Sequence, residues 1–233
     1  MSIDEYFGGW AKIIDLNEAE RIVRNLSTSP TIICPSVKNI FRAFHLCPFN
    51  NLQVIILSFE PYADIYKKVP KATGIAFANS PDTPEEDYSP SLEILRESVI
   101  DYTKPHGITI FDPSLEKWEE QGVLLLNSAL SCQAGKSGSH SLMWRPFTCS
   151  LLTNLSKHAV GIVYVLMGVE AQSFEQYIDK TSNYVIRCRH PSYYARTKTR
   201  MPSDIWKQVN DIIVGQRGYG IKWFEEETFS INQ

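Results

Sequence analysis

The stretch Val54-Ile55-Ile56-Leu57-Ser58-Phe59-Glu60-Pro61-Tyr62-Ala63 runs from apolar, mostly β-branched residues straight into a carboxylate and a proline. A buried parallel strand that ends in a site-bearing loop reads this way. Open α/β sheets bind ligands in the crevice beyond the carboxyl ends of their strands, which makes Glu60 a candidate for chemistry. Taken alone, the stretch also fits a strand followed by a capped turn with a solvated glutamate.

Two further runs end the same way. Gly122-Val123-Leu124-Leu125-Leu126-Asn127 stops at an amide, and Tyr184-Val185-Ile186-Arg187-Cys188 leads into Arg189-His190-Pro191-Ser192. Separate loops therefore deliver Glu60, Asn127 and His190 to one rim, each able to act on a substrate or hydrogen-bond it. Asn127 alone is equally a strand-ending turn residue. The loop Ala134-Gly135-Lys136-Ser137-Gly138-Ser139-His140 holds a Gly-Lys-Ser triplet without full phosphate-loop spacing, so ATP binding is not indicated and Lys136 reads as solvated.

The elements that must hold this rim alternate between strand and helix. A helix is expected over Asn17 to Leu26, where Leu16, Ala19, Ile22, Val23 and Leu26 share a side. Ser36 can cap a second through Val37, Ile40, Phe41 and Phe44, ending before Pro48. Ala63 to Ala78 reads as a long loop, and Asn79 to Pro90 as a turn region. Further helices are expected from Ser91 to a stop at Pro105, from Met143 to Leu155, from Glu170 to Ile178, and from Pro202-Ser203-Asp204 to Gly215. A third strand is Gly161 to Met167. This alternation predicts an α/β fold of three layers, α/β/α, around a central four-stranded parallel sheet with right-handed crossovers.

A length of 233 residues suits one domain spanning 1–233, and 43% hydrophobic with 21% charged residues is ordinary for a soluble protein. No apolar run approaches a bilayer-crossing length and the amino terminus lacks a basic signal, so a cytoplasmic or nuclear, non-membrane protein is expected. The five cysteines and five histidines show neither a disulfide framework nor metal-ligand spacing, so no metal is expected. Net charge is −3, yet Arg187, Arg189, Arg196, Lys198 and Arg200 form a run without an acidic residue. That run is a solvated face or a phosphate-binding one.

These residues together resemble the uracil-DNA glycosylases of bacteria, eukaryotic nuclei and large DNA viruses, from about Trp10 to Trp223. The first stretch resembles the family's water-activating loop, V-I-L-G-Q-D-P-Y-H. Gly74-Ile75-Ala76-Phe77 is similar to G-L-A-F-S, Ser89-Pro90-Ser91-Leu92 to the backbone-compressing P-P-S-L, and His190-Pro191-Ser192 to the start of H-P-S-P-L. The strongest match is Gly122 to Asn127 followed by Ala134-Gly135 and Ser139-His140, against G-V-L-L-L-N…A-G…S-H. Ile40-Phe41-Arg42-Ala43-Phe44 and Pro48-Phe49 fit as well.

The resemblance implies a monomer that flips uracil out of single- or double-stranded DNA and hydrolyses its glycosidic bond without a cofactor. Asn127 would read the base edge, Phe77 would stack on it, and Tyr62 would exclude a C5 methyl group; on their own these two aromatics also read as core. His190 would stabilise the departing anion, and Glu60 would face the sugar and orient water. Ser89, Ser91, Ser139, His140 and Ser192 would contact DNA. Tyr194 would stand where the family inserts a leucine wedge, with Arg196 and Lys198 on phosphates beside Arg189 and Arg200.

The chain departs from the family in the chemical loop. Glu60 replaces the aspartate, Phe59 the glutamine at the pocket wall (where a backbone N–H could still serve the base), and Ala63 the final histidine. One added methylene displaces a carboxylate by ~1.5 Å, so base recognition is expected to be better preserved than bond cleavage. The alternatives are a protein that binds uracil-containing DNA without cutting it, or serves as a replication or transcription accessory, and a glycosylase for another base. Whether a proteinaceous inhibitor exists is left open.

Overall fold

A computed structural model describes residues 3–104 and 109–226. Its sheet comprises β1 (Val54–Ser58), β2 (Val123–Asn127), β3 (Val163–Met167) and β4 (Tyr184–Cys188). The strands lie in the spatial order β2-β1-β3-β4, and every ladder between them is parallel. The sheet is the one expected, with β2 and β3 starting at Val123 and Val163 rather than at the glycines before them.

The longer helices are α1 (Leu16–Ser27), α2 (Pro90–Thr103), α3 (Ser141–His158), α4 (Pro191–Thr197) and α5 (Asp204–Arg217). Side chains alternate between the faces of a strand, and helices cover both faces here. Ile55, Leu57, Leu124, Leu126, Tyr164 and Leu166 share a core with Ile22 and Leu26 of α1 and Leu151, Leu152 and Leu155 of α3. Val54, Ile56, Val123, Leu125, Val163 and Val165 share the other with Leu92, Leu95 and Val99 of α2 and Trp206, Val209 and Ile213 of α5. Two-sided burial is why the inner strands read as unbroken apolar runs.

At Leu125 the outer edge of β2 is satisfied by one side chain and one backbone amide. The N–H of Leu125 donates to Glu119 Oε1 at 2.9 Å, and its carbonyl accepts from the Ala76 N–H at 3.1 Å. Glu119 is fully buried, and burial holds its carboxyl well above the usual carboxylate range. Most of the cost of burying an anion is thereby avoided.

Helix starts follow their sequence signals. Asp15 caps α1 by accepting the Glu18 N–H at 3.1 Å, and Pro90 and Pro191 open α2 and α4. Lys104 ends α2 in a left-handed conformation, and Pro105, the expected stop, lies outside the described residues. The last helix runs past Gly215 to Arg217 and ends at Gly218.

The structure corrects three expected elements. The helix from Ser36 is a 3-10 turn, Val37–Asn39, and a separate short α-helix, Arg42–Leu46; Ser36 caps nothing. The break lies where Gly74 presses on the Asn39 carbonyl, so closely that a Cβ at Gly74 would lie 2.0 Å from the oxygen. The loop Ala63 to Ala78 contains a hairpin pairing Ile65–Tyr66 with Val69–Pro70, turned by Lys67 and Lys68 at φ 47° and 69°. The helix from Glu170 to Ile178 is interrupted: an α-turn, Val169–Gln172, gives way to a 3-10 turn, Glu175–Tyr177. There Ser173 Oγ donates to the Glu170 carbonyl at 2.7 Å and competes with the backbone ladder.

Candidate active site

The ladder between β1 and β2 sets Ser58 beside Asn127, and the segments that leave these strands are laced together. Ser128 N–H donates to the Ser58 carbonyl at 3.0 Å, Ala129 N–H and Ser128 Oγ to the Phe59 carbonyl at 2.9 Å, and Gly135 N–H to the Ala63 carbonyl at 2.9 Å. The Cys132 thiol donates to the Pro61 carbonyl at 3.5 Å. Cys132 itself stands opposite Cys34 in a two-residue antiparallel ladder. Residues 58–63 are thus held in place by residues 128–135.

Glu60, Asn127 and His190 line one cavity of about 350 Å³, together with Ser58, Phe59, Tyr62, Asp64, Phe77, Ser137 and others. Phe59 forms part of the wall and does not fill it. The Glu60 carboxylate accepts the Ser137 hydroxyl on Oε1 and the Gly138 N–H on Oε2, the latter at 2.6 Å. Asn127 is buried, and its amide has no hydrogen-bond partner among the described residues. A buried amide facing a cavity without a partner is poised for a ligand that supplies a complementary donor and acceptor.

His190 immediately precedes α4, a helix in a stretch expected to be loop. Its Nδ1 accepts the Ser192 N–H at 3.1 Å, and Ser192 Oγ lies 2.8 Å from the same nitrogen. A ring nitrogen that accepts from a backbone amide carries no proton, so the neutral ring is protonated at Nε2. That nitrogen lies 3.0 Å from Ser58 Oγ at the end of β1. Burial pushes the His190 pKa down to about 4, which keeps the ring neutral at pH 7. Its position depends on Gly168 at the end of β3, because a Cβ there would lie 2.9 Å from the His190 Cβ.

Tyr62 and Phe77 belong to both core and cavity. The Tyr62 hydroxyl donates to the Phe77 carbonyl at 2.8 Å, and burial raises its pKa. Phe77 has φ 67°, uncommon for a bulky residue, and its ring centroid is 5.5 Å from that of His190 at a 44° tilt.

The residues expected to touch DNA divide into two groups. Arg196 and Lys198 are exposed and have no carboxylate partner among the described residues, whereas Arg200 pairs with Asp101 and Arg187 with Glu175. Arg189 lies over the Tyr193 ring at 4.2 Å. Ser139 and Ser192 are exposed, but each side chain is engaged internally. Ser139 Oγ accepts the Gln133 N–H at 2.8 Å, and Ser192 serves His190. His140 is half-buried, with Nδ1 3.0 Å from Ser131 Oγ.

Two of these expectations need correcting on position. Ser89 is buried and exchanges hydrogen bonds with Asn79 at 2.8 and 2.9 Å, so its hydroxyl is not displayed on the surface. Ser91, at the start of α2, is buried as well but lines the cavity itself. Tyr194 does not project as a wedge: it is 8% exposed and packed into the core beside α2 and α5, while Tyr193 is the half-exposed ring. The reason is helical: the residues after His190 form α4, whose buried face carries Pro191 and Tyr194.

Ser58, Asp64 and Ser137 also line the cavity and were not singled out from sequence. Ser58 stands where the family motif has glycine, a departure legible beforehand. Nothing marks Ser137 in a polar loop, since its role exists only through Glu60 some seventy-seven residues away. Among the described residues no group of three His, Cys, Asp or Glu side chains could hold a metal ion, and no helix is long and apolar enough to cross a membrane.

The Uracil DNA glycosylase superfamily matches residues 44–213 of the chain. The uracil-DNA glycosylase of Proteus mirabilis is 30% identical over 198 residues, covering 82% of each chain. That of Vibrio campbellii is 32% identical over 194 residues, covering 82% of this chain and 81% of its own. Among solved structures, mimivirus uracil-DNA glycosylase superposes with a TM-score of 0.78 at 22% identity, over 95% of this chain and 86% of its own. The wild-type UNG of Nitratifractor salsuginis gives 0.63 at 18% identity, over 86% and 96%. The structural likenesses speak for the shared fold and the sequence matches for common descent: the chain belongs to the Uracil DNA glycosylase superfamily.

Proposed function

We propose that the protein hydrolyses the N-glycosidic bond of uracil in DNA, with the base extruded into the cavity shared by Glu60, Asn127 and His190. The observation that carries this reading is the convergence of those three side chains, from three different loops, on one cavity of about 350 Å³.

In this reading the Asn127 amide offers one donor and one acceptor to the edge of uracil, and cytosine presents the reversed pattern. The Phe77 ring flanks the base, and Tyr62 crowds the position of a C5 methyl group. As the glycosidic bond breaks, its electron pair passes to the base, and the Nε2 proton of neutral His190 stabilises the resulting anion. The Glu60 carboxylate faces the cationic sugar and orients a water, whose oxygen bonds to the anomeric carbon while its proton passes to the carboxylate. Arg196 and Lys198 neutralise phosphates.

Single-turnover cleavage of uracil-containing single- and double-stranded oligonucleotides, with binding measured on the same strands, tests the reading. Abasic product formed only from uracil-containing strands is expected. Tight uracil-dependent binding without product would make the protein a reader of uracil and not a glycosylase.

A further inference from the structure

Glu60 carries one methylene more than the aspartate of the family motif, and the chain meets the displaced carboxylate with two donors from a single loop. We propose that Ser137 is the positioning residue of this carboxylate, fixing with the Gly138 N–H the direction in which Glu60 holds its water. The inference rests on Glu60 acting as the water-orienting group.

One donor on each oxygen fixes both the direction and the rotation of the group, and hydrogen bonds to an ionised acceptor are among the stronger ones. Each oxygen keeps a further lone-pair direction for water. The donors do not sit on a free loop. Gly135 N–H is bonded to the Ala63 carbonyl at 2.9 Å, Lys136 N–H to the Gln133 carbonyl at 2.9 Å, and Gln133 N–H to Ser139 Oγ at 2.8 Å. The segment that presents Ser137 is therefore tied to the backbone just beyond Glu60, at Ala63. Ser137 also lines the cavity itself, so its hydroxyl lies at the mouth of the site and outside the packed core.

Rate is steep in the placement of a reacting group, with misplacement of about 1 Å costing on the order of 100-fold. A longer carboxylate on an unchanged backbone invites such an error, and two fixed donors limit it. The shorter aspartate of the family motif would stop one methylene short of this hydroxyl, so the contact depends on the glutamate standing at position 60.

The test is single-turnover kinetics of Ser137→Ala and Ser137→Thr, each in the native chain and in the Glu60→Asp background, with affinity for uracil-containing DNA measured in parallel. Ser137 is exposed, so its truncation leaves no buried void, and matching melting curves verify the fold. Ser137→Ala should lower the cleavage rate by about tenfold or more with affinity unchanged, and Ser137→Thr should restore it. In the Glu60→Asp background Ser137→Ala should cost little further, because the shorter carboxylate does not reach the hydroxyl. An unchanged rate in Ser137→Ala, an equal loss in both backgrounds, or a loss of affinity without loss of rate would overturn the inference. If the native chain makes no abasic product, or Glu60→Gln cleaves at full rate, the functional reading fails and this inference with it; an active native chain with an inert Glu60→Gln and an indifferent Ser137→Ala defeats this inference alone.

Discussion

The Tyr62 hydroxyl donates a 2.8 Å hydrogen bond to the carbonyl of Phe77, fifteen residues away, and so ties the two aromatic walls of the cavity to each other. Phe77 needs such a tether because its φ of 67° is unfavourable for a bulky residue. Tyr62→Phe keeps the ring proposed to crowd a C5 methyl group and removes only the tether. The variant should lose about 1 to 2 kcal/mol of stability, the cost of an unpaired buried carbonyl, while still rejecting thymine. Thermal melting and paired assays on uracil- and thymine-containing DNA check this; excision of thymine by the variant would show that the hydroxyl itself governs selectivity.

His190 gives a pH prediction whose sign is set by its neighbours. Burial lowers its folded pKa from 6.5 to about 4, so the folded state binds fewer protons than the unfolded one between those values. The associated stability is fully present above about pH 6.5 and is lost as pH falls toward 4, up to roughly 3 kcal/mol. His190→Gln lacks this term, so the difference in melting temperature between native and variant chains should shrink from pH 7 to pH 4.5. Activity should show no inflection near pH 6.5 from this group, and direct titration of its ring by NMR should place it well below that.

Glu60 and Asp64 both line the cavity, and the proposed mechanism needs only the first. Asp64 is exposed and its carboxylate has no hydrogen-bond or ion-pair partner among the described residues, whereas each Glu60 oxygen receives a donor. Glu60→Gln should lower the cleavage rate by at least about 100-fold with binding retained, and Asp64→Asn should leave the rate within about twofold. Single-turnover rates on one oligonucleotide compare them, and the reverse ranking would transfer the role to Asp64.

What could be read from sequence, and what could not, has a physical pattern. The inner strands β1, β2 and β3 are legible because two-sided burial demands continuous apolar runs, and the polar residues at or just beyond the ends of β1, β2 and β4, Glu60, Asn127 and His190, mark the rim. The hairpin turned by Lys67 and Lys68 was hidden because its left-handed turn positions carry lysines in place of the usual glycine or asparagine. Tyr194 reads as a surface residue when the family's loop is laid over this chain, and only the helical periodicity after Pro191 shows that its ring faces the core. Ser137 escapes a sequence reading for another reason: a serine acquires meaning from its partner, and Glu60 lies far away along the chain; Ser58 is visible as a departure from the family motif, but its contact with His190 is not.

Arg196 and Lys198 carry a prediction about salt. Both are exposed on or just after α4, close to His190, and neither is neutralised by a carboxylate among the described residues. Arg200 is exposed too, but Asp101 offsets its charge at 3.1 Å. Charge neutralisation of phosphates releases counterions, so each true phosphate contact adds about one unit to the slope of log affinity against log salt. Arg196→Ala and Lys198→Ala should weaken binding to uracil-containing and ordinary DNA alike and reduce that slope by about one each, whereas Arg200→Ala should change it less. Binding isotherms across a salt series provide the measurement, and an unchanged slope in both variants would make this surface a solvated face with no part in holding DNA.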